Sequence, residues 1–244
     1  MNELPLRDKT ILVTGAARRV GRILALACAH ADADVIIHHG HSPQQALDVQ
    51  KEIASLGHRG WIIASDLSKS DEVSHLISQA NEIRPLYGLV NSAAIFDSLS
   101  LEQTTLADWQ QHMAINLTAP FLLCQAFAKQ ISNNGDGRIV NILDWRALRP
   151  GADHFPYTIS KAALASMTKS LAVALAPRVT VNGLALGAVM PPANGSATEE
   201  IIKNVPAHRW SNAKEIEDAL IFLLAGPAYI TGEIIHVDGG RHLV

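Results

Sequence analysis

The stretch TILVTGAARRVG, residues 10–21, carries the signal that decides the fold of this chain. Its first part, Thr10–Thr14, is apolar and β-branched, which predicts a buried strand. Gly15 permits a tight turn after that strand, and Gly21 lets the following helix pack closely against it. Unpaired N–H groups at such a helix start attract phosphate. The stretch therefore predicts a dinucleotide-binding turn rather than an ordinary strand-to-helix connection, with contacts from Gly15, Arg18, Arg19, Val20 and Gly21.

Outward from this turn, short apolar runs alternate with longer stretches of helical periodicity along all 244 residues. Neither an internal repeat nor a Ser/Gly-rich linker divides the chain. The runs are apolar on both faces, which is typical of a parallel sheet covered by helices. We predict a doubly wound α/β (Rossmann) fold in one domain, residues 1–244, with seven parallel strands. These strands are Thr10–Thr14, Val35–His39, Trp61–Ala64, Gly88–Asn91, Arg138–Leu143, Val179–Leu184 and Ile234–Val237.

Helix boundaries are marked by prolines and by small polar residues. Ser42 precedes Pro43 and is predicted to cap a helix. Two long helices are predicted over 108–131, ending before Asn133-Asn134-Gly135, and over 157–176, ending at Pro177. The segment 187–210 contains Pro191, Pro192, Pro206 and Asn194-Gly195, so we predict a mobile excursion with a short helix, which is a candidate substrate lid. Met190 and Trp210 of this segment are candidate substrate contacts.

Composition excludes several classes of function. The chain is 48% apolar and 18% charged with a net charge of -3, so it lacks the basic excess of a sequence-independent nucleic-acid binder. No apolar run approaches the roughly 20 residues of a membrane span. The start, MNELPLRDKT, has no apolar core of a signal peptide. Two cysteines, Cys28 and Cys124, suit reduced thiols, and we expect a cytoplasmic protein without membrane or nucleic-acid partners.

The end of the second strand indicates which dinucleotide binds. An NAD-preferring site usually has a carboxylate there, but this chain reads His38-His39-Gly40-His41-Ser42, and Asp34 lies at the other end of the strand. Arg18, His41 and Ser42 beside a helix N-terminus suit a 2′-phosphate, which favours NADPH. The three histidines lack carboxylate or cysteine partners, so they are interpreted as a solvated strand end, and no metal site is predicted.

Tyr157 and Lys161 lie four residues apart on a predicted helix and share one face. A neighbouring ammonium favours the phenolate and lowers the pKa of a tyrosine, so the phenol can exchange a proton near neutral pH. Such a pair is common on exposed helix surfaces. Here it follows a strand that ends at Asp144, in a chain with a dinucleotide-binding turn, and it therefore predicts a catalytic pair.

With these motifs in this order, the sequence resembles the short-chain dehydrogenase/reductase family over essentially its whole length. The resemblance rests on Thr14-Gly15 with Gly21, Asp66-Leu67, Asn91-Ser92-Ala93, Asn116, Tyr157 with Lys161, Val181-Asn182 with Gly187, and Asp238-Gly239-Gly240. It implies that Tyr157 is the proton donor and that Lys161 activates it and holds the nicotinamide ribose. It also implies that Asn116 holds a water of the proton relay.

The same resemblance implies further contacts and an assembly. Asp66 and Leu67 are expected near the adenine, Asn91 and Ala93 along the adenosine and the nicotinamide ribose, and Gly187 and Val189 at the cofactor. Leu186 occupies a position where the family often has proline. Many members form dimers or tetramers through the two long helices, so a homodimer or homotetramer is expected.

Two departures from the family pattern indicate a subgroup. Arg19 stands where a third glycine is common, and Asp144 stands where serine is common, thirteen residues before Tyr157. Both substitutions, and the ending Asp238-Gly239-Gly240-Arg241-His242-Leu243, resemble the pteridine reductases and bacterial dihydromonapterin reductases. Phe96 matches the aromatic residue that those enzymes stack on a pterin. The resemblance implies NADPH-dependent reduction of a pterin C=N bond, with Arg19, Phe96, Asp144 and Tyr157 at the substrate.

The residue types fit this chemistry, with alternatives left open. A carboxylate accepts from pterin N–H groups or passes on a proton, Arg19 offers several planar donors, and Phe96 offers a flat apolar face. An ionised Asp144 would raise the pKa of Tyr157 against Lys161, so the three groups are expected to titrate together. Asp144 is alternatively a plain loop acid, Phe96 plain core, and Trp145 packing. A carbonyl or 3-oxoacyl reductase and a non-catalytic NADP-binding regulator are the competing functions.

Overall fold

The computed structural model describes residues 5–131, 135–191 and 198–244. Its strands pair in parallel as one sheet in the order β3-β2-β1-β4-β5-β6-β7, which confirms the predicted doubly wound fold. From β1 the sheet extends through β2 and β3 on one side and through β4 to β7 on the other. The crevice at the carboxyl ends of β1 and β4 lies at this switch in strand order. The strands are β1 Thr10–Val13, β2 Asp34–His39, β3 Gly60–Ala64, β4 Gly88–Asn91, β5 Gly137–Asp144, β6 Val179–Leu186 and β7 Ile234–Val237.

Helices cover both faces of the sheet, because successive strand side chains point to opposite sides. In β1, Ile11 and Val13 pack on one side and Leu12 packs on the other. The first side is covered by α1, α2 and α8, and the second by α3, α5 and the end of α6. The helices are α1 Arg19–His30, α2 Pro43–Ser55, α3 Ser70–Ile83, α4 Leu106–Met113, α5 Ala119–Gln130, α6 Phe155–Leu175, α7 Thr198–Lys203 and α8 Ala213–Ala225.

The helix predicted over 108–131 is interrupted by a π-helical turn, Ala114–Thr118, between α4 and α5. Pro120 has no N–H to donate to the carbonyl of Asn116, so the regular α-helical bond cannot form at that place. The widened turn brings Asn116 toward the chain after β4. Asn133 and Asn134, which were predicted to follow this helix, lie outside the described residues.

The segment 187–210 contains the short helix that the sequence predicts, α7. Pro192 and the Asn194-Gly195 pair of the predicted lid lie outside the described residues. Ser42 occupies the N-cap of α2 with Pro43 behind it, but its side chain makes no capping bond; instead, its N–H donates to His39 Nδ1 at 3.4 Å. Within the described ranges, no helix has the length and apolarity needed to cross a bilayer.

Candidate active site

A cleft of about 1170 Å³ opens at the carboxyl edge of the sheet. It is lined by the turn after β1, the ends of β2 and β3, the chain after β4, the end of β5, the start of α6 and the segment after β6. The pairing of Asp144 with Leu186 at the ends of β5 and β6 places Gly187 beside the Asp144 backbone. The cleft therefore brings together residues that are far apart in sequence, including most of the predicted site.

The glycine-rich turn is closely packed. Gly15 has φ +64°, and a Cβ there would lie 2.9 Å from Ala93 Cα; at Gly21 a Cβ would lie 2.0 Å from the carbonyl oxygen of Gly15. Only glycine fits either position without rearrangement. Arg19 has φ +48° where the family pattern has glycine, a left-handed conformation that costs a side-chain-bearing residue about 1 kcal/mol. Arg18, Arg19, Val20 and Gly21 all line the cleft at the start of α1.

His38 supports the backbone of this turn, a role that the sequence analysis did not assign. The interpretation as a solvated strand end is wrong for His38 and His39, which are 1% and 7% exposed, and holds only for His41. The side chain is 1% exposed, and its Nδ1 accepts the Gly15 N–H at 3.2 Å while its Nε2 faces the Ser65 carbonyl oxygen at 3.0 Å. These partners fix the tautomer with the proton on Nε2. Burial lowers the pKa of His38 to about 4, so the ring is neutral at pH 7. Its position in β2, one residue before the strand end, was the available sequence signal.

The predicted 2′-phosphate end is formed by residues after β2. His39, Gly40, His41 and Ser42 line the cleft there with Arg18. Asp34 is at the opposite end of β2, where it pairs with Arg84 at 3.0 Å. Leu67 and Asp66 also line this end; the pKa of Asp66 is lowered, chiefly by hydrogen bonds from the Ser68 hydroxyl and N–H. The described cleft thus has no carboxylate in the position typical of NAD sites.

The Asn91 side chain does not line the cleft, so the predicted cofactor contact of Asn91 stays a prediction that its side-chain geometry does not support. Asn91 Nδ2 donates to Asn141 Oδ1 at 2.8 Å and approaches Cys124 Sγ at 3.3 Å. Asn141 in turn donates to the Thr168 hydroxyl at 2.9 Å. The register pairs Asn91 with Asn141 on adjacent strands, which directs the two amides at each other inside the core. Asn91 therefore ties β4, β5 and α6 together, and only its neighbours Ser92 and Ala93 reach the cleft.

Tyr157 and Asp144 meet in the cleft. The Tyr157 hydroxyl donates to Asp144 Oδ2 at 3.3 Å, and the Asp144 side chain is only 16% exposed. Burial raises the pKa of Tyr157 well above its ordinary value, and the Asp144 charge and hydrogen bond raise it further. The conflict that the sequence suggested between the two groups is therefore present in the folded site. Asp144 is not an exposed loop acid.

Arg146 compensates the Asp144 charge, which the sequence analysis did not foresee. Asp144 caps the 3₁₀ turn Trp145–Ala147: its Oδ1 accepts the Arg146 N–H at 2.9 Å and approaches Arg146 Nη1 at 3.4 Å. The same guanidinium binds Asp153 at 2.7 Å. The positive charge of Arg146 also lowers the pKa of Tyr157 and so opposes the effect of Asp144. Since Asp144 precedes Arg146 by two residues, a local turn provides this counterion.

Lys161 lies behind Tyr157 on α6. Its side chain is 2% exposed, and Nζ donates to the Ile142 carbonyl oxygen at 2.7 Å and lies 5.8 Å from the Tyr157 ring centroid. Burial lowers the pKa of Lys161 to about 8, and Asp144 opposes that shift. The helical spacing predicted from the sequence therefore does place the two side chains on one side of α6, at the cleft.

Asn116 is buried behind the same wall. Its Oδ1 accepts the Ile95 N–H at 2.9 Å, and its Nδ2 donates to the Ile95 carbonyl at 3.1 Å and to the Ser160 hydroxyl at 3.0 Å. Ser160 Oγ donates to the Tyr157 carbonyl oxygen at 2.7 Å. The amide group of Asn116 thus links the chain after β4 to α6, and both of its N–H groups are engaged.

The predicted substrate residues border one end of the cleft. Phe96 is 51% exposed, so it is not plain core; its ring stacks on His154 at 3.9 Å and meets Tyr157 edge-on at 4.6 Å. Arg19 donates to the Pro191 carbonyl at 3.0 Å and so contacts the segment after β6. Trp145, Gly187, Val189, Met190 and Trp210 also line the cleft. Within the described ranges, no group of three or more metal-ligating side chains is placed to hold a metal ion.

Comparison with known proteins agrees with this geometry. A family model described as enoyl-(acyl carrier protein) reductase matches residues 15–242. FolM alternative dihydrofolate reductase 1 from Brucella canis, solved with NADP, is 31% identical with a TM-score of 0.92, over 99% of this chain and 96% of that one. A short-chain dehydrogenase from Burkholderia cenocepacia, also solved with NADP, is 32% identical with a TM-score of 0.91, over 97% of this chain and 99% of that one.

A curated relative from Aquifex aeolicus, the 3-oxoacyl-[acyl-carrier-protein] reductase FabG, is 34% identical over 98% of this chain and 99% of its own length. These matches run across the strands and helices that build the cleft, from the glycine-rich turn to the C-terminal turn. The chain therefore belongs to the short-chain dehydrogenase/reductase family of oxidoreductases.

Proposed function

We propose that this enzyme is an NADPH-dependent pteridine reductase, which transfers hydride to a C=N bond of a dihydropterin. The observation that carries the proposal is the partly buried Asp144 carboxylate, which accepts a hydrogen bond from the Tyr157 hydroxyl, in a position where the family commonly has serine. A ketone oxygen needs a neutral donor, which serine supplies. A pterin instead presents N–H groups and a ring nitrogen that needs a proton, which suit a carboxylate beside a phenol.

The cleft fits an anionic dinucleotide. Its described lining has five Lys or Arg side chains against two carboxylates, Asp66 and Asp144. The turn around Gly15 and Gly21 would hold the pyrophosphate, since a Cβ at either glycine would collide with backbone atoms. Arg18, His41 and Ser42 would hold the 2′-phosphate. The relatives from Brucella and Burkholderia are NADP complexes, which supports the same cofactor here. When bound, the nicotinamide supplies the hydride.

The protons are managed by residues of α6 and β5. Tyr157 donates a proton to the reduced ring nitrogen, and Asp144 holds an N–H of the pterin. Lys161 favours the phenolate that remains, because its ammonium lies behind the Tyr157 ring. Arg146 pairs with Oδ1 of Asp144, so that Oδ2 faces the phenol. Asn116 connects this wall to Ser160 and is the residue proposed to hold a relay water.

The flat ring would lie against Phe96, which borders the cleft and stays half exposed. Arg19 would bridge the pyrophosphate and the pterin with its planar group of donors. Its bond to the Pro191 carbonyl would then be exchanged for ligand contacts when the cleft fills. The segment after β6 is proposed to close over the substrate, with Met190 and Trp210 on its inner side.

A 3-oxoacyl reductase is the competing proposal, because curated relatives such as the Aquifex aeolicus protein carry that activity in their names. The two proposals predict different effects of Asp144→Ser. The variant of a carbonyl reductase should keep or improve its activity on ketones, whereas the variant of a pterin reductase should lose activity on pterins.

The deciding experiment follows NADPH absorbance with dihydromonapterin, dihydrobiopterin, dihydrofolate, simple ketones and a 3-oxoacyl thioester offered in parallel. We expect turnover of at least one dihydropterin. Turnover of the ketone or the thioester, with no dihydropterin consumed, would refute the proposal. Tight NADPH binding without consumption of any substrate would favour a non-catalytic regulator instead.

A further inference from the structure

One positive charge of the cleft has no task in the proposed reaction. Arg18 and Arg19 would hold the cofactor phosphates, Lys161 lies behind Tyr157, and Arg146 is paired with Asp144 and Asp153. Arg241 is the fifth cation. Among the described residues, no carboxylate lies within salt-bridge distance of its guanidinium. Its Nη1 instead donates to the carbonyl oxygen of Asn204.

Arg241 is the last of a row of neighbouring planar side chains that begins at the proposed pterin site. The row consists of Phe96, Arg146, Trp145 and Arg241. The guanidinium of Arg146 lies 5.8 Å from the Phe96 ring centroid and 4.6 Å from that of Trp145. The guanidinium of Arg241 lies 4.9 Å from the same Trp145 ring. A substituent that leaves the pterin along this wall therefore passes Trp145 and meets Arg241.

The backbone holds Arg241 in this place. Asp238 is 5% exposed and anchors the C-terminal turn: it accepts the N–H of Gly240 at 3.0 Å, and the N–H and Nδ1 of His242 at 2.8 and 2.7 Å. Gly240, with φ +85°, directs the chain back toward the cleft. Arg241 is thus presented from a fixed turn and is itself partly buried.

The surroundings of Arg241 favour an anion. Burial and the neighbouring guanidiniums of Arg146 and Arg149 lower the pKa of Arg241, and the Asp153 carboxylate opposes this shift. Asp153 is itself paired with Arg146, at 2.7 Å. An anion bound between Arg241 and these two arginines would reduce the repulsion among the three guanidiniums. It could accept two parallel hydrogen bonds from the planar guanidinium of Arg241.

We propose that Arg241 binds an anionic group, a carboxylate or a phosphate, at the end of the substituent that the pterin carries. This inference rests on the proposed pteridine reductase function and narrows its substrate class. The phosphate source would be a phosphorylated side chain, and the carboxylate source a folate-type glutamate.

The test compares dihydroneopterin with dihydroneopterin phosphate, which differ by one phosphate, and uses dihydrofolate as the carboxylate arm. We expect the wild-type enzyme to favour the anionic substrates in KM. Arg241→Gln should raise KM for an anionic substrate about tenfold or more, as expected for a lost charged hydrogen bond, and leave KM for dihydroneopterin within about twofold. Arg241→Lys, which keeps the charge and loses the fork, should fall between. Arg59→Gln, an exposed arginine away from the cleft, is the matched control.

The outcomes separate the two proposals. If Arg241→Gln affects the neutral and anionic pterins equally, Arg241 is structural and the inference is wrong, while the pteridine reductase function stands. The inference is also wrong if wild-type enzyme reduces the pterins without preferring either anion. If no pterin is reduced, and calorimetry finds none bound to NADP⁺-loaded protein, both proposals fail together. A response to only one anionic arm identifies the source.

Discussion

The Tyr157 hydroxyl donates to the Asp144 carboxylate at 3.3 Å, so the phenol of this site faces a negative charge rather than the hydroxyl that most relatives carry. Burial and that charge raise the pKa of Tyr157, while Arg146 opposes the increase. The phenol of Tyr157 therefore favours its protonated form in the free protein. This relationship gives the site its clearest test.

Replacing Asp144 with serine should separate the two candidate reactions. Without the carboxylate, the pKa of Tyr157 falls and the pterin loses its acceptor. We expect kcat/KM for a dihydropterin to drop about 100-fold, within the range for a lost hydrogen bond to a charged group, with the alkaline limb of its pH profile moved to lower pH. Ketone reduction should be kept or improved. Asp153→Ser, which removes the other carboxylate bound to Arg146, is the control, and an equal loss in both variants would contradict the assignment.

The pH dependence of the free enzyme should report Lys161. Its pKa is about 8 in the folded protein, so the ammonium is lost as pH rises through that value. We expect kcat/KM for NADPH to fall above about pH 8, and Lys161→Met to be about 100-fold less active at pH 7 with no such limb. Circular dichroism checks that the variant is folded. A limb that persists unchanged in the variant would assign the titration to another group.

Cofactor preference should depend on the end of β2. A Cβ at Gly40 would meet only the Ser65 carbonyl oxygen, at 3.8 Å, so a side chain fits there. Gly40→Asp places a carboxylate where NAD-preferring sites have one and where the 2′-phosphate would bind. We expect NADPH affinity to fall at least about tenfold and NADH affinity to rise, measured by fluorescence titration. Gly40→Ala adds the Cβ without the charge, and it should leave the preference unchanged.

His38 should control cofactor binding through Gly15. His38→Leu removes the acceptor of the Gly15 N–H, and we expect the Kd for NADPH to rise about tenfold with little change in kcat. His38→Asn keeps an acceptor and a donor, and it should recover part of that loss. Wild-type NADPH affinity in His38→Leu would show that the Gly15 turn keeps its conformation without the hydrogen bond to His38.

The same histidine predicts an acid effect on stability. The pKa of His38 is lowered to about 4, so the unfolded chain takes up this proton first as pH falls. The folded protein should therefore lose stability between about pH 6.5 and 4, by up to about 3 kcal/mol. Urea unfolding across that range should show a weaker dependence in His38→Asn.

The assembly expected from the resemblance is a homodimer or homotetramer. Val173 on α6 is 83% exposed, and Phe121 on α5 is 42% exposed, on the two helices where the family associates. Val173→Asp should therefore shift the protein toward monomers in light scattering, since it places a charge in an apolar contact. Lys51→Asp, at an exposed position of α2 outside the two helices, is the comparison.

The sequence by itself determined the architecture. Short runs that are apolar on both faces, together with the Gly15–Gly21 turn, indicate helices on both faces of a parallel sheet, because such strands must be covered on both sides. The i, i+4 spacing of Tyr157 and Lys161 placed both on one side of α6, since helical geometry is local. The spacing between Asp144 and Tyr157 marked two groups that the end of β5 and the start of α6 then brought together.

Tertiary structure decided which way each side chain faces. Asn91 ends a strand beside the cleft, yet its amide points into the core because the register sets it against Asn141. The sequence shows His38 only as part of a histidine run, and its role follows from the contacts of its ring with Gly15 and Ser65 in the folded protein. Arg241 reached the Trp145 ring only through the turn that Asp238 holds. These contacts join residues between 23 and 96 positions apart, or depend on a register, so no local spacing in the sequence encodes them.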